Sequence, residues 1–499
     1  MQSNGEHSQI SRSDIIVEPL DEAFVRVRTE DNGVFRELVD YFTFEVPGAR
    51  FMPAYRNKIW DGKIRLLNGI NKTLPKGLIP YLTKFSESRQ YEIDVHEDLF
   101  YDDEFSIAEA ESHIEALKLK LDPRDYQTKA FVHAVRKKRA LLLSPTASGK
   151  SLIAYLISTY YLNLTKGRVL IIVPTVSLVH QMAKDFIDYG MPDSLISGIM
   201  AGVDKNAVKP ITVSTWQSIH KLQKAWFKNF DCVIGDEAHL FKSKSLSDIM
   251  NKMVDVKYRF GLTGTLDGAQ THKLVLEGLF GPVKQVVKTN ELIESGSLSP
   301  FKIKIICLHY GIEKRKQFSI SPYHDEMEFI HTNDKRNKFI RNLAISLKGN
   351  TLILFKLVDK HGQVLYNDIL SNTNEKRKVF FVHGGTDAQT REEIREITES
   401  EKDAIIVASY GTFSTGINIR NLHNIVFASP SKSRIRNLQS IGRGLRKSEK
   451  KEQAVLYDIA DDLSYKKKKN HSFRHLDTRV KMYKDESFEY KIYKVNFDG

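Results

Sequence analysis

Residues 144–151, with the sequence SPTASGKS, have the types and spacing needed to hold a phosphate group. They follow an apolar run at 140–143 and precede a helical pattern at 151–161, so the loop opens onto a helix N-terminus. In such a loop the backbone N–H groups and the helix dipole bind phosphate, Lys150 reaches the β- and γ-phosphates of a nucleotide, and the Ser151 hydroxyl ligates Mg²⁺. The tight turn is built from small residues: Thr146, Ala147, Ser148 and Gly149. The alternative is a chance Gly-Lys-Ser at the start of a helix.

Two adjacent carboxylates, Asp236 and Glu237, follow a second apolar run at 231–234 and come 86 residues after Lys150. In a parallel sheet, both segments lie at the carboxyl ends of strands, where ligands bind. Asp236 can then hold Mg²⁺, and Glu237 can orient and deprotonate an attacking water. Acidic residues in the first turn of a helix give the same pattern for structural reasons. The phosphate loop favours the catalytic interpretation.

A third cluster, at 439–446, contains Gln439, Arg443 and Arg446. The two arginines are three residues apart, which predicts that they share one face of a helix. Guanidinium groups directed at a γ-phosphate act as arginine fingers, which accelerate hydrolysis by about 10³–10⁵-fold where they operate. A solvent-exposed basic helix is the alternative. Because this cluster lies in a separate α/β unit from the phosphate loop, we expect ATP between two lobes whose closure accompanies hydrolysis.

The elements that position these residues alternate between buried strands and helices. In the first half of this region, strands are predicted at 140–143, 169–173, 211–214 and 231–234, with helices at 151–161 and 176–189. Further strands are predicted at 351–355, 378–382, 404–408, 424–428 and 454–457. This alternation predicts an α/β protein with two parallel sheets covered by helices. Pro123 disfavours a continuous helix before it and sets the first boundary. We predict an N-terminal accessory domain at 1–118, a first lobe at 119–295 and a second lobe at 296–499.

Composition is compatible with three globular domains in a chain of 499 residues. The hydrophobic fraction of 41% and the charged fraction of 27% exclude collagen-like, coiled-coil and wholly disordered classes. Only two cysteines are present, Cys232 and Cys307, which excludes a disulfide framework and favours a reducing compartment such as the cytoplasm. The first residues are polar without an apolar signal core, and no apolar run has the length of a membrane span.

The net charge of +13 is unevenly distributed and favours a polyanionic partner. Residues 1–120 have a net charge of −7, and the remainder has +20. Within the acidic part, residues 50–84 contain eight basic residues and one acidic residue, interleaved with aromatic side chains. Basic and aromatic residues together are typical of nucleic-acid surfaces, although a solvated face with buried aromatics has the same composition. We name residues 50–84 the basic island.

The order of motifs over about 120–460 resembles that of superfamily-two helicases and translocases. Nine segments occur in the expected sequence: the glutamine motif at 124–127, motif I at 144–151, Ia at 172–175, Ic at 212–215, II (DEAH) at 236–239, III at 262–265, IV at 352–355, V at 407–418 and VI at 439–446. Ser144 in motif I and Asn418 in motif V depart from the usual residues. Neither departure removes a group that hydrolysis needs.

The resemblance implies two RecA-like lobes with Mg-ATP between them and a nucleic-acid strand across both. It places Arg124 in the adenine-reading motif with Gln127 as the reader, and it makes Gln439, Arg443 and Arg446 sensors of the γ-phosphate. Thr263 and Thr265 of motif III would couple the nucleotide state to lobe movement. The residues implied to contact the phosphodiester backbone are Pro174, Thr175, Thr215, Ser409 and Thr415.

The N-terminal region is similar to that of the UvsW-type helicases of phage recombination. The similarity lies at 51–67 and 74–82, mainly in the segment WDGKIRLL at 60–67. It implies a monomeric motor, in the host cytoplasm if phage-encoded, that remodels branched DNA in recombination, repair and replication. The implied reactions are fork regression, Holliday-junction branch migration and R-loop unwinding. Within a small α+β domain, the residues that would grip duplex DNA are Arg56, Lys58, Trp60, Lys63 and Arg65.

Three alternatives stay open at this stage. The first is an RNA helicase or a double-stranded DNA translocase subunit of a repair or restriction complex. The second is a non-catalytic, nucleotide-gated binding module, which is disfavoured because every group needed for hydrolysis is present. The third, a P-loop transporter or GTPase, would not need the cluster at 439–446.

Overall fold

The computed structural model describes residues 13–100, 103–416, 419–447 and 451–497, without the side chains of residues 388 and 414–416. The chain divides into two compact units. The first takes in the described residues up to Leu143 together with Gly149–Val286, and the second takes in Ser144–Ser148 and the described residues from Val287 onward. Over the described ranges, no helix is both long enough and apolar enough to cross a membrane.

The N-terminal domain is a small mixed sheet packed against helices. Its strands are β1 (Ile15–Pro19), β2 (Phe24–Arg28), β3 (Thr43–Glu45), β4 (Lys63–Arg65), β5 (Thr73–Pro75) and β6 (Ile93–Val95). Its helices are α1 (Asn32–Tyr41), α2 (Pro53–Arg56), α3 (Ile79–Arg89) and α4 (Ile107–Ala116). The main sheet has the order β5-β2-β1-β6, with β1 antiparallel to β2 and parallel to β6. Strands β3 and β4 form a separate antiparallel pair.

Lobe 1 is built on a seven-stranded parallel sheet. Its strands are β7 (Arg139–Leu143), β8 (Val169–Val173), β9 (Ile196–Ile199), β10 (Ile211–Thr215), β11 (Cys232–Asp236), β12 (Tyr258–Thr263) and β13 (Val283–Gln285). Its helices are α5 (Asp125–Lys137), α6 (Lys150–Thr165), α7 (Val176–Asp188), α8 (Trp216–Ile219), α9 (Lys224–Phe227), α10 (Lys244–Lys252) and α11 (Gln270–Phe280). The strand order is β13-β7-β12-β11-β8-β10-β9. All five residues of β8 are buried, because helices cover both faces of the sheet.

Lobe 2 repeats this architecture with a second seven-stranded parallel sheet, in the order β16-β17-β15-β18-β19-β14-β20. Its strands are β14 (Phe301–Tyr310), β15 (Thr351–Phe355), β16 (Val379–Val382), β17 (Ile405–Ser409), β18 (Asn424–Phe427), β19 (Ala454–Asp462) and β20 (Tyr490–Phe497). Helix α12 (Thr289–Glu294) precedes this sheet. The helices of lobe 2 are α13 (Ile312–Phe318), α14 (Tyr323–Thr332), α15 (Asp334–Ser346), α16 (Gln363–Asn372), α17 (Ala388–Ser400), α18 (Tyr410–Gly416), α19 (Arg434–Gly444) and α20 (His471–Asp485).

The predicted α/β class, with two parallel-sheet lobes and a small N-terminal domain, is confirmed. The predicted strands lie within one or two residues of the observed ones, except that β19 continues to Asp462. Strands β9, β12 and β13 of lobe 1 and strands β14 and β20 of lobe 2 were not predicted. Lysines interrupt the apolar residues of β14 and β20. The domain boundaries at 118 and 295 stay predictions.

The N-terminal domain packs directly on lobe 1 within the first unit. The Tyr81 hydroxyl donates to Glu277 Oε2 at 2.6 Å, and Arg139 forms an ion pair with Glu22 at 3.3 Å. Gly77 fits so closely against α11 that a Cβ on it would lie 1.9 Å from the Glu277 carbonyl oxygen. The two parts therefore share a close-packed interface, with Glu277 only 2% exposed.

Candidate active site and nucleic-acid interface

The phosphate loop follows β7 and closes on itself before α6 begins at Lys150. Ala147 and Gly149 have positive φ angles of 65° and 79°, which curl the backbone ahead of the helix. The Ser144 and Ser148 hydroxyls lie 2.6 Å apart, and Ser148 Oγ donates to the Pro145 carbonyl at 2.7 Å. Thus Ser144, the departure from the usual glycine, is buried and helps to brace the loop. A curled backbone at a helix N-terminus is suited to an anion.

Gln127, the predicted adenine reader, lies against this loop. A Cβ on Gly149 would be 2.2 Å from Gln127 Nε2, so only glycine fits there. Gln127 is 4% exposed, and its Oε1 accepts from the Arg124 backbone N–H at 2.8 Å. The Arg124 guanidinium in turn donates to the Tyr126 hydroxyl at 2.8 Å. The structure thus brings the glutamine motif to motif I, and the adenine-reading role stays a prediction.

Three neighbouring strands, β7, β12 and β11, carry motifs I, III and II at their carboxyl ends. Leu143 pairs with Thr263 and Leu262 pairs with Asp236, which sets the three ends side by side. Burial raises the pKa of Asp236 to about 6; the charge of Glu237 adds to this rise, and the charge of Lys150 opposes it. The raised pKa indicates a carboxylate short of positive charge, which a divalent cation would supply.

Motifs II and III are joined by His239, a residue to which the sequence assigned no separate role. His239 Nδ1 lies 3.2 Å from Glu237 Oε2 and 3.0 Å from Thr263 Oγ1. Thr263 Oγ1 also donates to the Thr265 carbonyl at 3.1 Å. Glu237 has a φ of 49°, so its backbone leaves the strand in the left-handed region. The imidazole therefore links the predicted base to the motif predicted to couple the nucleotide state to lobe movement.

Ser151 has a neighbour that no motif indicates. Its Oγ lies 3.0 Å from the hydroxyl of Tyr189, the residue that caps α7. The sequence contained no signal for this contact, since it joins residues 38 positions apart on separate helices. Tyr189 thus lies beside the predicted Mg²⁺ ligand.

The phosphodiester candidates of lobe 1 lie at the ends of β8 and β10, on the far side of β11 from the phosphate loop. Gln217 Nε2 donates to the Pro174 carbonyl at 3.3 Å, and Thr175 caps α7. The Thr215 side chain is 4% exposed, and its hydroxyl lies 2.9 Å from Ser218 Oγ. Pro174 and Thr175 are therefore the more accessible of the three.

In lobe 2, Ser409 ends β17 and its hydroxyl lies 2.8 Å from Thr412 Oγ1. The side chain of Thr415 lies outside the described residues, as does Asn418.

The arginine cluster of lobe 2 differs from its predicted geometry. Gln439 and Arg443 lie on α19, but this helix ends at Gly444. The prediction that Arg446 shares a helical face with Arg443 is therefore wrong, because the chain leaves the helix between them. Lys451, whose role the sequence did not indicate, holds this segment: its Nζ donates to the carbonyls of Gly444 at 2.7 Å and Arg446 at 2.5 Å.

The basic island separates into an exposed part and a buried part. Arg56, Lys58, Lys63 and Arg65 are exposed, and Trp60 is half-buried with its indole N–H donating to the Lys63 carbonyl at 2.9 Å. Lys76, by contrast, is 5% exposed and forms an ion pair with Glu22 at 2.9 Å. Composition alone could not distinguish these two groups.

Three family models match successive parts of the chain. Residues 14–96 match the N-terminal domain of the DNA helicase UvsW, 120–268 the res subunit of type III restriction enzymes, and 334–448 the conserved C-terminal domain of helicases. The ATP-dependent DNA helicase uvsW of Enterobacteria phage T4 is 37% identical over 97% of this chain and 100% of that protein. This chain belongs to the UvsW family of DNA helicases. The predicted family and enzyme class are thereby confirmed: as a UvsW-type helicase it is an ATP-dependent enzyme that hydrolyses ATP.

A solved structure agrees with the UvsW assignment, and a more distant relative is also similar to this chain. The crystal structure of T4 UvsW superimposes with a TM-score of 0.52 at 34% identity, covering 97% of this chain and 99% of that one. The DNA 3'-5' translocase XPB2 of Sulfurisphaera tokodaii is 24% identical, covering 69% of this chain and 82% of that protein.

Proposed function

We propose that this UvsW-type helicase uses Mg-ATP to remodel branched DNA by fork regression, Holliday-junction branch migration and unwinding of RNA–DNA hybrids. The observation that carries the proposal is the UvsW-type N-terminal domain at 14–96, which packs on lobe 1 and presents exposed basic residues. A motor that consisted of the two lobes alone would lack the exposed basic residues of the N-terminal domain. We further propose that the functional domains are 1–118, 119–295 and 296–499.

The groups around the phosphate loop account for the hydrolysis step. Backbone N–H groups of 146–149 and Lys150 bind the β- and γ-phosphates. Oxygen donors suit Mg²⁺, and the pKa of Asp236, raised to about 6, fits a carboxylate that becomes fully ionised beside a cation. Ser151 and Asp236 would hold that ion, which neutralises phosphate charge when bound.

Glu237 is positioned to act as the base. It accepts a proton from the attacking water as the bond between the γ-phosphorus and the bridging oxygen breaks. His239 Nδ1, 3.2 Å from Glu237 Oε2, orients the Glu237 carboxylate and connects it to the Thr263 hydroxyl of motif III. Arg443 and Arg446 supply the positive charge that stabilises the γ-phosphate in the transition state, and Gln439 senses the γ-phosphate with its neutral amide.

A panel of nucleic-acid substrates tests the proposed function. The panel contains a fork, a four-way junction, an R-loop, a blunt duplex and a single-stranded RNA, each incubated with ATP and Mg²⁺. We expect conversion of the first three, little change in the duplex, and weak ATPase stimulation by RNA. The Glu237→Gln variant serves as the control for ATP dependence. Stronger stimulation by RNA than by forks would contradict the proposal.

A second candidate is translocation along intact duplex DNA. It is favoured by the match of 120–268 to a restriction-enzyme subunit and by the similarity to a protein named as a DNA translocase. Displacement of a triplex-forming strand from an unbranched duplex detects this activity. Efficient displacement without fork conversion would support the translocase over the branched-DNA helicase.

A further inference from the structure

The segment between β3 and β4 projects from the N-terminal domain as an ordered insert. Strands β3 and β4 pair from Thr43 opposite Arg65 to Glu45 opposite Lys63, and residues 46–62 connect them. We name residues 46–62 the hairpin insert. Its ends meet through a hydrogen bond from the Val46 N–H to the Gly62 carbonyl at 2.8 Å, and α2 lies in its middle.

The end of the hairpin insert exposes an unusual set of large apolar side chains. Ile59 is 79% exposed and Phe51 is 67% exposed, while Met52 and Tyr55 are 42% and 41% exposed. Four such residues within nine positions concentrate exposed apolar surface in one short segment, and exposed apolar surface of this kind marks binding sites. We name these four residues the apolar tip.

This exposure is not a consequence of a loose chain. The Ile59 N–H donates to the Ala54 carbonyl at 2.9 Å, and the Trp60 indole fixes the turn into β4 through Lys63. A Cβ on Gly62 would lie 2.9 Å from the Tyr55 ring, so the glycine makes room for that ring. The backbone therefore holds the apolar side chains in place on the surface.

The charges around the apolar tip indicate the chemistry of its partner. Arg50, Arg56 and Lys58 belong to the hairpin insert, and the Arg50 guanidinium lies 5.3 Å from the centre of the Phe51 ring. The one acidic residue of the hairpin insert, Asp61, forms an ion pair with Arg65 at 2.5 Å. Cations beside exposed rings are the combination that binds phosphates and stacks on unpaired bases. Intact duplex exposes its phosphates to such a surface but not the faces of its bases, because the bases are stacked on each other.

The base of the hairpin insert is tied to the motor. Thr271 Oγ1, at the start of α11, donates to the Glu45 carbonyl at 3.2 Å. His272 Nδ1 lies 2.5 Å from Asp267 Oδ2, and Asp267 also pairs with Lys242 just beyond the DEAH motif. The insert is therefore anchored to the segments that follow motifs II and III.

We propose that the apolar tip stacks on unpaired bases at the branch point, while Arg50, Arg56 and Lys58 bind the adjoining phosphates. This inference rests on the proposed branched-DNA function and adds a binding site for single-stranded bases within it. The hairpin insert then distinguishes a junction from a plain duplex, which basic residues alone do not do.

The test compares the charge-neutral variant Phe51→Ala/Ile59→Ala with Ile320→Ala. Ile320 is 82% exposed in lobe 2, so its replacement removes exposed apolar surface away from the N-terminal domain. Because stacking contributes about 1–3 kcal/mol per base, we expect the double variant to bind forks about tenfold or more weakly. Its affinity for blunt duplex should change less than twofold, and Ile320→Ala should match the wild type on both DNAs.

A charge variant, Arg56→Ala/Lys58→Ala, separates stacking from phosphate binding. We expect it to lose affinity for forks and duplexes alike, with a shallower salt dependence. Equal fork affinity of the double apolar variant and the wild type would overturn the inference and assign the apolar tip to a protein partner. These equilibrium measurements need no ATP, so a failure of fork remodelling by the wild type is a separate result that overturns the proposed function alone.

Discussion

At the scale of single residues, the active site depends on charges that the fold holds close together. Asp236 is 8% exposed, and its carboxylate is adjacent in sequence to that of Glu237. Burial and the neighbouring charge of Glu237 raise the pKa of Asp236 to about 6. Lys150 supplies part of the compensating positive charge. Under the proposed function, a nucleotide that brings Mg²⁺ would supply the remaining positive charge.

The first prediction concerns the proposed base. In Glu237→Gln the side chain keeps its size but cannot accept the proton from water, so we expect kcat for ATP to fall by about 10²–10⁴-fold with ATP binding retained. Lys150→Ala should instead weaken ATP binding. Steady-state hydrolysis and nucleotide titration measure the two effects. Asp248→Asn, an exposed carboxylate of α10, is the control. Hydrolysis at the wild-type rate in Glu237→Gln would contradict the assignment.

The second prediction concerns Lys451, the buried lysine that holds the chain after motif VI. Burial lowers its pKa to about 8, with Glu399 opposing the shift. The unfolded state binds the proton more tightly between pH 8 and about 10.5, so this residue's contribution to stability increases as pH rises through that window. Relative to Lys451→Met, the wild type should gain up to about 3 kcal/mol in unfolding free energy between pH 7.5 and 10.

Denaturant titrations at several pH values measure this difference for Lys451. An exposed lysine of the same lobe, Lys402, provides the control variant Lys402→Met, for which we expect a constant offset. A pH-independent difference between the wild type and Lys451→Met would mean that the buried ammonium does not titrate in this range.

Residue positions were predictable where a motif fixes the spacing, and contacts were missed where the fold alone brings groups together. Lys150, Asp236 and Glu237 follow strands at positions that the sequence pattern determines. Tyr189 and Lys451 touch the predicted site segments through long-range packing, for which a single sequence carries no signal.

At the scale of elements, the parallel sheet of lobe 1 arranges the motifs. The order β7-β12-β11 sets motif III between motifs I and II, although it follows both in sequence. The apolar runs predicted β7 and β11, because helices bury them on both faces, whereas no strand was predicted at the position of β12. The strand order and the end of α19 before Arg446 depend on tertiary packing, which periodicity does not reveal.

The third prediction concerns the phosphate loop as an element. Gly149 has a φ of 79°, and a Cβ there would lie 2.2 Å from Gln127 Nε2. Gly149→Ala should therefore displace Gln127, weaken ATP binding at least about tenfold, and cost about 1–3 kcal/mol of stability. Nucleotide titration and thermal unfolding measure these effects. Gly384→Ala, where a Cβ meets open space, should match the wild type.

At the scale of the whole molecule, the N-terminal domain belongs to the same compact unit as lobe 1. Their contacts are specific. The buried carboxylate of Glu277 accepts a hydrogen bond from the Tyr81 hydroxyl, and the buried side chain of Leu274 from α11 packs in the core of the N-terminal domain. Charge distribution had indicated a distinct N-terminal unit with an acidic balance. The charge distribution could not indicate that this unit packs on lobe 1, because contacts such as that of Gly77 with Glu277 do not change the amino-acid composition in a recognisable way.

The fourth prediction is that this packing is required for DNA remodelling. A Cβ in Gly77→Ala would lie 1.9 Å from the Glu277 carbonyl oxygen, so the N-terminal domain must shift away from α11. Overpacking of this kind costs about 1–3 kcal/mol. We expect a lower denaturation midpoint, faster proteolysis between residues 90 and 125, and loss of fork conversion with DNA-independent ATPase retained. Gly69→Ala, whose Cβ makes only a 3.9 Å contact with Val39, is the matched control. Fork conversion at the wild-type rate in Gly77→Ala would show that the motor does not need the domain fixed in this position.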